Sequence, residues 1–228
     1  MFRERPAPPP RRLVPWSSSL RLRAALLAVA ANVVLAAPMG RAAIILDDVV
    51  VRVYDNTDLP DSVRRASLAL AANIFAKAEV EIGWVHCPSR CGRAPGPDQL
   101  ILRMTRSPAT AVGVGSSLID PVLGAGRLAT VYVDQVDGMA RRASTDRVAI
   151  LSRAIAHEIG HLILGTTEHT RAGLMRSVWT TEELRQNHAD DWQFTPVQRT
   201  LLRARIATGQ AFRWNASMPR AVPGRSGS

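Results

Sequence analysis

The stretch "HEIGHLILGTTEH", residues 157–169, contains three histidines and one glutamate at short, regular spacings. It completes the longest helical pattern in the chain, which we expect to end at Gly165 because glycine readily closes a helix. On an α-helix, residues four apart share one face, so His157 and His161 present their imidazoles side by side, about 6 Å apart along the axis. This spacing is suited to holding one zinc ion.

Glu158 follows the first histidine directly. Helix geometry rotates it by about 100° from His157, which keeps its carboxylate out of the metal's own ligand set but near it. Zinc acidifies water and polarises carbonyl groups, and a neighbouring carboxylate can accept the proton that water releases. The pattern therefore predicts Glu158 as the general base of a hydrolysis.

A catalytic zinc site uses three protein ligands and keeps one position open, so a third ligand has to come from beyond the helix. Gly165 lets the chain reverse, and the four residues that follow span roughly 13 Å at about 3.3 Å each. That reach is enough to bring His169 back to the metal. Glu168 is adjacent to His169 and is the alternative ligand from the same segment.

Together with the "AGLM" that follows, this stretch resembles the zinc motif of the metzincin metalloproteases. The resemblance implies zinc ligation by His157, His161 and His169, catalysis by Glu158, and a methionine turn at Met175. It also implies an α+β zincin fold, with a twisted mixed β-sheet, a backing helix, an active-site helix and a C-terminal helix.

The motif departs from the usual metzincin spacing, because the gaps before the glycine and before the third histidine are each four residues rather than three. No tyrosine follows the methionine turn, which leaves the metal or Tyr132 to stabilise an oxyanion. A thermolysin-like enzyme with Glu182 as the third ligand is one alternative. A zinc-binding protein of the same fold that recognises a partner without cleaving it is another.

Residues 1–42 have the layout of an export signal: seven arginines, the apolar run 24–37 and small residues near the end. The run of 14 residues is shorter than the roughly 20 that a bilayer span requires, although an uncleaved anchor remains the alternative. We therefore expect a secreted or periplasmic protein without a stable membrane span after signal removal. In an oxidising compartment Cys87 and Cys91 would form a disulfide. The alternative is a loose resemblance to the cysteine switch that caps zinc in protease zymogens.

The charge of the chain does not indicate a nucleic-acid partner. Of 29 basic and 19 acidic residues, seven and one lie in the first 42, which leaves a net charge of only +4 on the remainder. The predicted partner is a peptide or protein substrate, and the sequence does not indicate an oligomeric state. Trp179 and Trp192 are interpreted as packing residues.

The remaining pattern predicts one catalytic domain over residues 43–209 and a disordered tail over 210–228. Strands are expected from about 43, at 80–87, at 99–105 and at 127–136, with a helix over 61–79. Residues 111–126 fit either a bulged edge strand or a loop. The histidine-bearing helix is expected to be capped by Ser144 or Thr145 and the last helix by Thr195, with a short helix near 180–187.

Overall fold

A computed structural model describes residues 48–87, 91–92 and 94–217, with side chains to residue 213. The predicted export signal, the start of the predicted catalytic domain at 43–47 and the tail beyond 217 lie outside these residues. Within the described part, none of the helices combines the length and apolar content needed to cross a bilayer.

Five strands form one mixed sheet. Their order across the sheet is β2-β1-β3-β5-β4. The neighbouring pairs are parallel except β4 and β5, which are antiparallel, so β4 forms one edge. The strands are β1 Val49–Asp55, β2 Ile82–Cys87, β3 Gln99–Thr105, β4 Gly115–Asp120 and β5 Ala125–Tyr132. The predicted mixed sheet is confirmed at this level of detail.

Over the residues that the structure describes, five α-helices and two 3-10 helices accompany the sheet. The α-helices are α1 Asp61–Ala76, α2 Val133–Ala143, α3 Arg147–Leu164, α4 Thr181–Gln186 and α5 Pro196–Ala207. The 3-10 helices are Ala189–Trp192 and Gln210–Ser217. The capping box predicted at Thr195 is present, with Thr195 accepting from the backbone of Gln198 and the Gln198 side chain accepting in return.

Helix α3 lies at the centre of the fold. It contacts α1, α2, α5, β4 and β5, and the residues 150–163 are all buried. A helix enclosed on all sides has to be apolar nearly all round, and most side chains of this segment are Ile, Leu or Ala. The polar side chains that it does carry, including His157, Glu158 and His161, are therefore held among apolar neighbours.

The strand predicted over 127–136 ends earlier than expected. The chain turns into α2 at Val133, because Val133, Val136 and Ala140 are buried at helical rather than alternating intervals. The predicted cap of α3, Ser144 or Thr145, is also wrong. Ser144 instead ends α2 in the left-handed region, and Asp146 caps α3 by accepting from the backbone of Val148.

Two regions left open by the sequence take definite forms. The segment from 111 to 126 includes β4, an edge strand with a register shift between Leu118 and Ile119, which is the bulged alternative. Cys87 at the end of β2 and Cys91 have their sulfur atoms at bonding distance, with Cα atoms 5.1 Å apart. Paired thiols leave no free thiolate for a cysteine switch.

Residues 210–217, which we predicted to be part of a disordered tail, form a 3-10 helix that contacts β5, and Ala211 within it is buried. Arg205 donates to the carbonyl of Gln210 at the start of this helix. The prediction of disorder followed from the polar, Pro/Gly-rich composition of residues 215–228. That composition does not extend to residues 210–214, which include the buried Ala211 and two aromatic residues.

Candidate metal centre

The two helical histidines sit in one turn of α3 with their rings oriented by the backbone. Nδ1 of His157 lies 2.9 Å from the carbonyl oxygen of Leu174, and Nδ1 of His161 lies 2.7 Å from that of Thr166. A carbonyl only accepts, so each Nδ1 carries the proton and donates it. Both neutral rings then present an unprotonated Nε2.

Those two Nε2 atoms face each other at 3.0 Å. Two lone pairs at this separation repel each other unless a cation lies between them. Burial lowers the pKa of His157 to about 4, partly offset by its hydrogen bond to Leu174. Burial also lowers the pKa of His161. Both rings are therefore neutral at physiological pH, which is the form that binds a metal.

His169 joins them from the loop after the helix. Gly165 ends α3 with φ +66°, and the chain then turns back toward the helix. The centroid of the His169 ring lies 5.3 Å from that of His157 and 4.9 Å from that of His161. The candidate ligand atoms of the three histidines all lie within 4.8 Å of one another. His169 is exposed whereas the other two are buried, so the cluster is open on the side of His169.

The alternative third ligands lie elsewhere. Glu168 is exposed and is outside this cluster, and its backbone N–H donates to Thr166. Glu182 is paired with Arg185 and accepts from Gln186 on its own helix. Three neutral imidazole nitrogens suit zinc, which binds histidine at about 2.0–2.1 Å.

The segment predicted as a methionine turn packs beneath the histidines. Met175 is fully buried, and its sulfur lies 2.9 Å from where a Cβ on Gly160 of α3 would stand. Gly173 has φ +78°, and Leu174 supplies the carbonyl that orients His157. The turn thus supports the histidine cluster through a backbone contact and through close packing on α3.

Glu158 points toward the edge strand β4. The Oγ of Ser117 lies 2.7 Å from one carboxylate oxygen of Glu158 and 2.7 Å from its backbone carbonyl. Burial raises the pKa of Glu158 to about 7, and the hydrogen bond from Ser117 opposes that rise. A carboxyl group with a pKa near neutrality exchanges a proton readily at physiological pH, as a general base must.

A cavity of about 280 Å³ opens over these groups. It is lined by His157, Glu158 and His169, by Trp179 and Arg176 from the segment after the methionine turn, and by residues 112–115, which lead into β4. Trp179 also packs edge-on against His157, with ring centroids 5.7 Å apart. The hydroxyl of Tyr132 lies 3.2 Å from that of Ser116.

Sequence reasoning did not find several of these residues. Ser117 and Arg176 belong to no motif, and only the tertiary fold brings them to the site. Leu174 and Thr166 lie within the quoted stretches, but the role of their backbone carbonyls has no sequence signature. Gly115 is also missed: a Cβ there would stand 2.7 Å from Oε1 of Glu158, so only glycine lets β4 approach the carboxylate so closely.

Comparison with known proteins adds little to this geometry. No protein-family model matches the sequence, and no curated protein matches it. A crystal structure of archaemetzincin from Methanopyrus kandleri matches with 14% identity and a TM-score of 0.46, covering 70% of this chain and 96% of that one. This degree of likeness assigns neither a family nor an activity to the chain.

Proposed function

We propose that this protein is an exported zinc metallopeptidase of metzincin type that hydrolyses peptide bonds. The observation that carries the proposal is the meeting of three histidine ligand atoms within 4.8 Å, beside a buried glutamate in an open cavity. A site that only stabilises the fold needs neither a buried carboxylate beside the metal nor an open position. Export rests on the layout of residues 1–42 and on the paired cysteines.

His157, His161 and His169 would hold the ion, which supplies Lewis acidity toward water and a carbonyl group when bound. The carbonyls of Leu174 and Thr166 fix the two helical rings so that both Nε2 atoms point to one position. Because the rings of His157 and His161 are already oriented, binding of the ion would require little rotation of either side chain.

Glu158 would take a proton from the attacking water and pass it to the leaving amine. Its carboxylate is held by Ser117 on one side, while burial keeps the pKa close to neutrality. The same group can therefore act first as base and then as acid within one turnover. Trp179, at the cavity wall, limits the access of bulk water to His157.

The test is zinc content and proteolysis measured together on the purified, zinc-supplemented protein. We expect one bound zinc and digestion of unfolded casein. Glu158→Gln is expected to abolish digestion while zinc stays bound. His169→Ala is expected to lose zinc and digestion, whereas the matched exposed histidine variant His188→Ala loses neither.

The possible outcomes separate the competing functions. Zinc binding without digestion of casein or of a peptide library would replace the enzyme by a zinc-binding recognition module. Digestion that survives in Glu158→Gln would overturn the assignment of the base. Zinc loss in Glu182→Ala, with zinc retained in His169→Ala, would establish the thermolysin-like ligand set instead.

A further inference from the structure

A second cavity lies beside the first half of α3. Its volume is about 620 Å³, and it is bordered by α1, by α3 and by the 3-10 helix 189–192 with its flanking residues. Its lining includes Ile74, Lys77, Arg153, Asn187, Trp192 and Gln193. Among the described residues, none that lines this cavity also lines the cavity at His157, Glu158 and His169.

The central feature of this cavity is a buried arginine that has no carboxylate partner among the described residues. Arg153 is 6% exposed, and its guanidinium lies over the Trp192 ring at 4.0 Å from the centroid. One amino group donates to Asn187, but Nη1 is buried and has no hydrogen-bond partner among the described residues. Burial lowers the pKa of Arg153 to about 10, which still leaves it charged at physiological pH.

A buried charge with a free donor is costly unless an acceptor or an opposite charge meets it. The described residues around the cavity include a second cation, Lys77, and neither aspartate nor glutamate. The indole Nε1–H of Trp192 is another buried donor without a partner. Arg153, Lys77 and Trp192 all line one cavity, so an anion bound there would meet positive charge that no described acid of the lining neutralises.

The guanidinium of Arg153 and the apolar walls of the cavity together indicate which class of anion would bind. A guanidinium presents paired N–H groups that match the two oxygens of a carboxylate. Ile74 and the Trp192 ring offer apolar surface beside it, and Leu70 is exposed at the rim. We propose that this cavity binds a small organic carboxylate with an apolar body, whose carboxylate pairs with Arg153 and Lys77.

The test uses sodium benzoate as the probe, titrated into the whole chain and followed by calorimetry. We expect saturable binding with a Kd of about 1 mM or tighter, and inorganic phosphate and chloride binding more weakly. The Nε1–H resonance of Trp192, identified with Trp192→Phe, should shift during the titration. Equal binding of phosphate would overturn the organic carboxylate assignment, and absence of saturable benzoate binding would overturn the site.

Two variants locate the binding. Arg153→Met keeps the side-chain volume and removes a buried charge, and should weaken benzoate binding about tenfold or more. Lys77→Gln, on an exposed position that tolerates change, should weaken it about two- to fivefold. Arg65→Gln removes one positive charge from the same helix outside the cavity, and should leave the affinity unchanged. Unchanged binding in both Arg153→Met and Lys77→Gln would overturn the proposal.

This cavity shares no described lining residue with the one at the proposed metal centre, and the experiment separates the two sites. Carboxylates also bind zinc, so each titration is repeated in EDTA and in His169→Ala. Binding at Arg153 should persist in both conditions. Benzoate binding that disappears with the metal would place the probe at the histidines and overturn the second site, without bearing on proteolysis.

Discussion

Gly165, where α3 ends, is a position at which adding a single methyl group should strongly destabilise the fold. Its φ of +66° disfavours any residue with a Cβ. A Cβ at this position would also overlap the carbonyl oxygen of Gly124 and the guanidinium of Arg205. Arg205 donates there to the carbonyls of Gly124 and Ile163, so it links the end of α3 to the loop before β5.

The expected cost of Gly165→Ala follows from these contacts. The left-handed conformation costs about 1–2 kcal/mol for a residue with a Cβ. Displacing Arg205 loses at least one hydrogen bond from a charged donor, at about 1.5–3 kcal/mol. The free energy of unfolding should therefore fall by about 2.5–5 kcal/mol.

Gly209 offers a matched control, because it has nearly the same backbone conformation without the contact. Its φ is +69°, and within the described part of the chain nothing lies within 4 Å of the position of its Cβ apart from its own chain neighbours. Gly209→Ala should thus cost only the conformational part, about 1–2 kcal/mol. Urea unfolding followed by circular dichroism, with EDTA present throughout, measures both losses. Equal losses in the two variants would refute the role assigned to Arg205 and to the close approach of Gly124.

Three further predictions concern the site and the fold. Gly115→Ala should lower kcat/KM for peptide hydrolysis about tenfold or more while zinc content is unchanged, because the new Cβ displaces the Glu158 carboxylate; unchanged kinetics would contradict this. Zinc at about 100 times its Kd should raise the free energy of unfolding by about 2.7 kcal/mol over EDTA, and His169→Ala should lose that gain; a full gain in the variant would remove His169 as a ligand. The hydroxyl and the N–H of Ser107 donate to Asp134 and hold its pKa below 3.8. These hydrogen bonds therefore stabilise the folded state above that pH, and the stabilisation is lost as the pH falls below it. Ser107→Ala should therefore cost about 1 kcal/mol at pH 7 and less at pH 3 in urea titrations, and a penalty independent of pH would contradict the linkage.

The features that the sequence predicted well depend on residues close together in the chain. His157 and His161 share a face because four residues make about one turn, whatever surrounds the helix. The capping box of Thr195 and Gln198 likewise spans three residues and needs no tertiary contact to form. Gly165 ends α3, as we predicted because glycine, which has no Cβ, readily closes a helix.

The boundary between β5 and α2 shows where local patterns fail. The run from Leu128 to Val136 is apolar enough to continue as a strand, and the sequence contains no glycine or proline at the change. The first turn of α2 also makes a contact with another part of the chain: Ser107, after β3, donates to Asp134. A contact across 27 residues has no local signature.

The environment of Glu158 also depends on a distant segment, but here the sequence contains a signal once the edge strand is known. Residues two apart on a strand face the same side, so Gly115 and Ser117 both face α3 while Ser116 and Leu118 are exposed. Gly115 leaves the space that the Glu158 carboxylate occupies, and Ser117 supplies the donor that meets it. A strand can pack against a buried carboxylate when it offers a small residue that leaves space and, two residues later, a hydroxyl that donates a hydrogen bond. The glycines of this segment, which the sequence offered as a bulge or a loop, therefore also serve the approach of β4 to the proposed base.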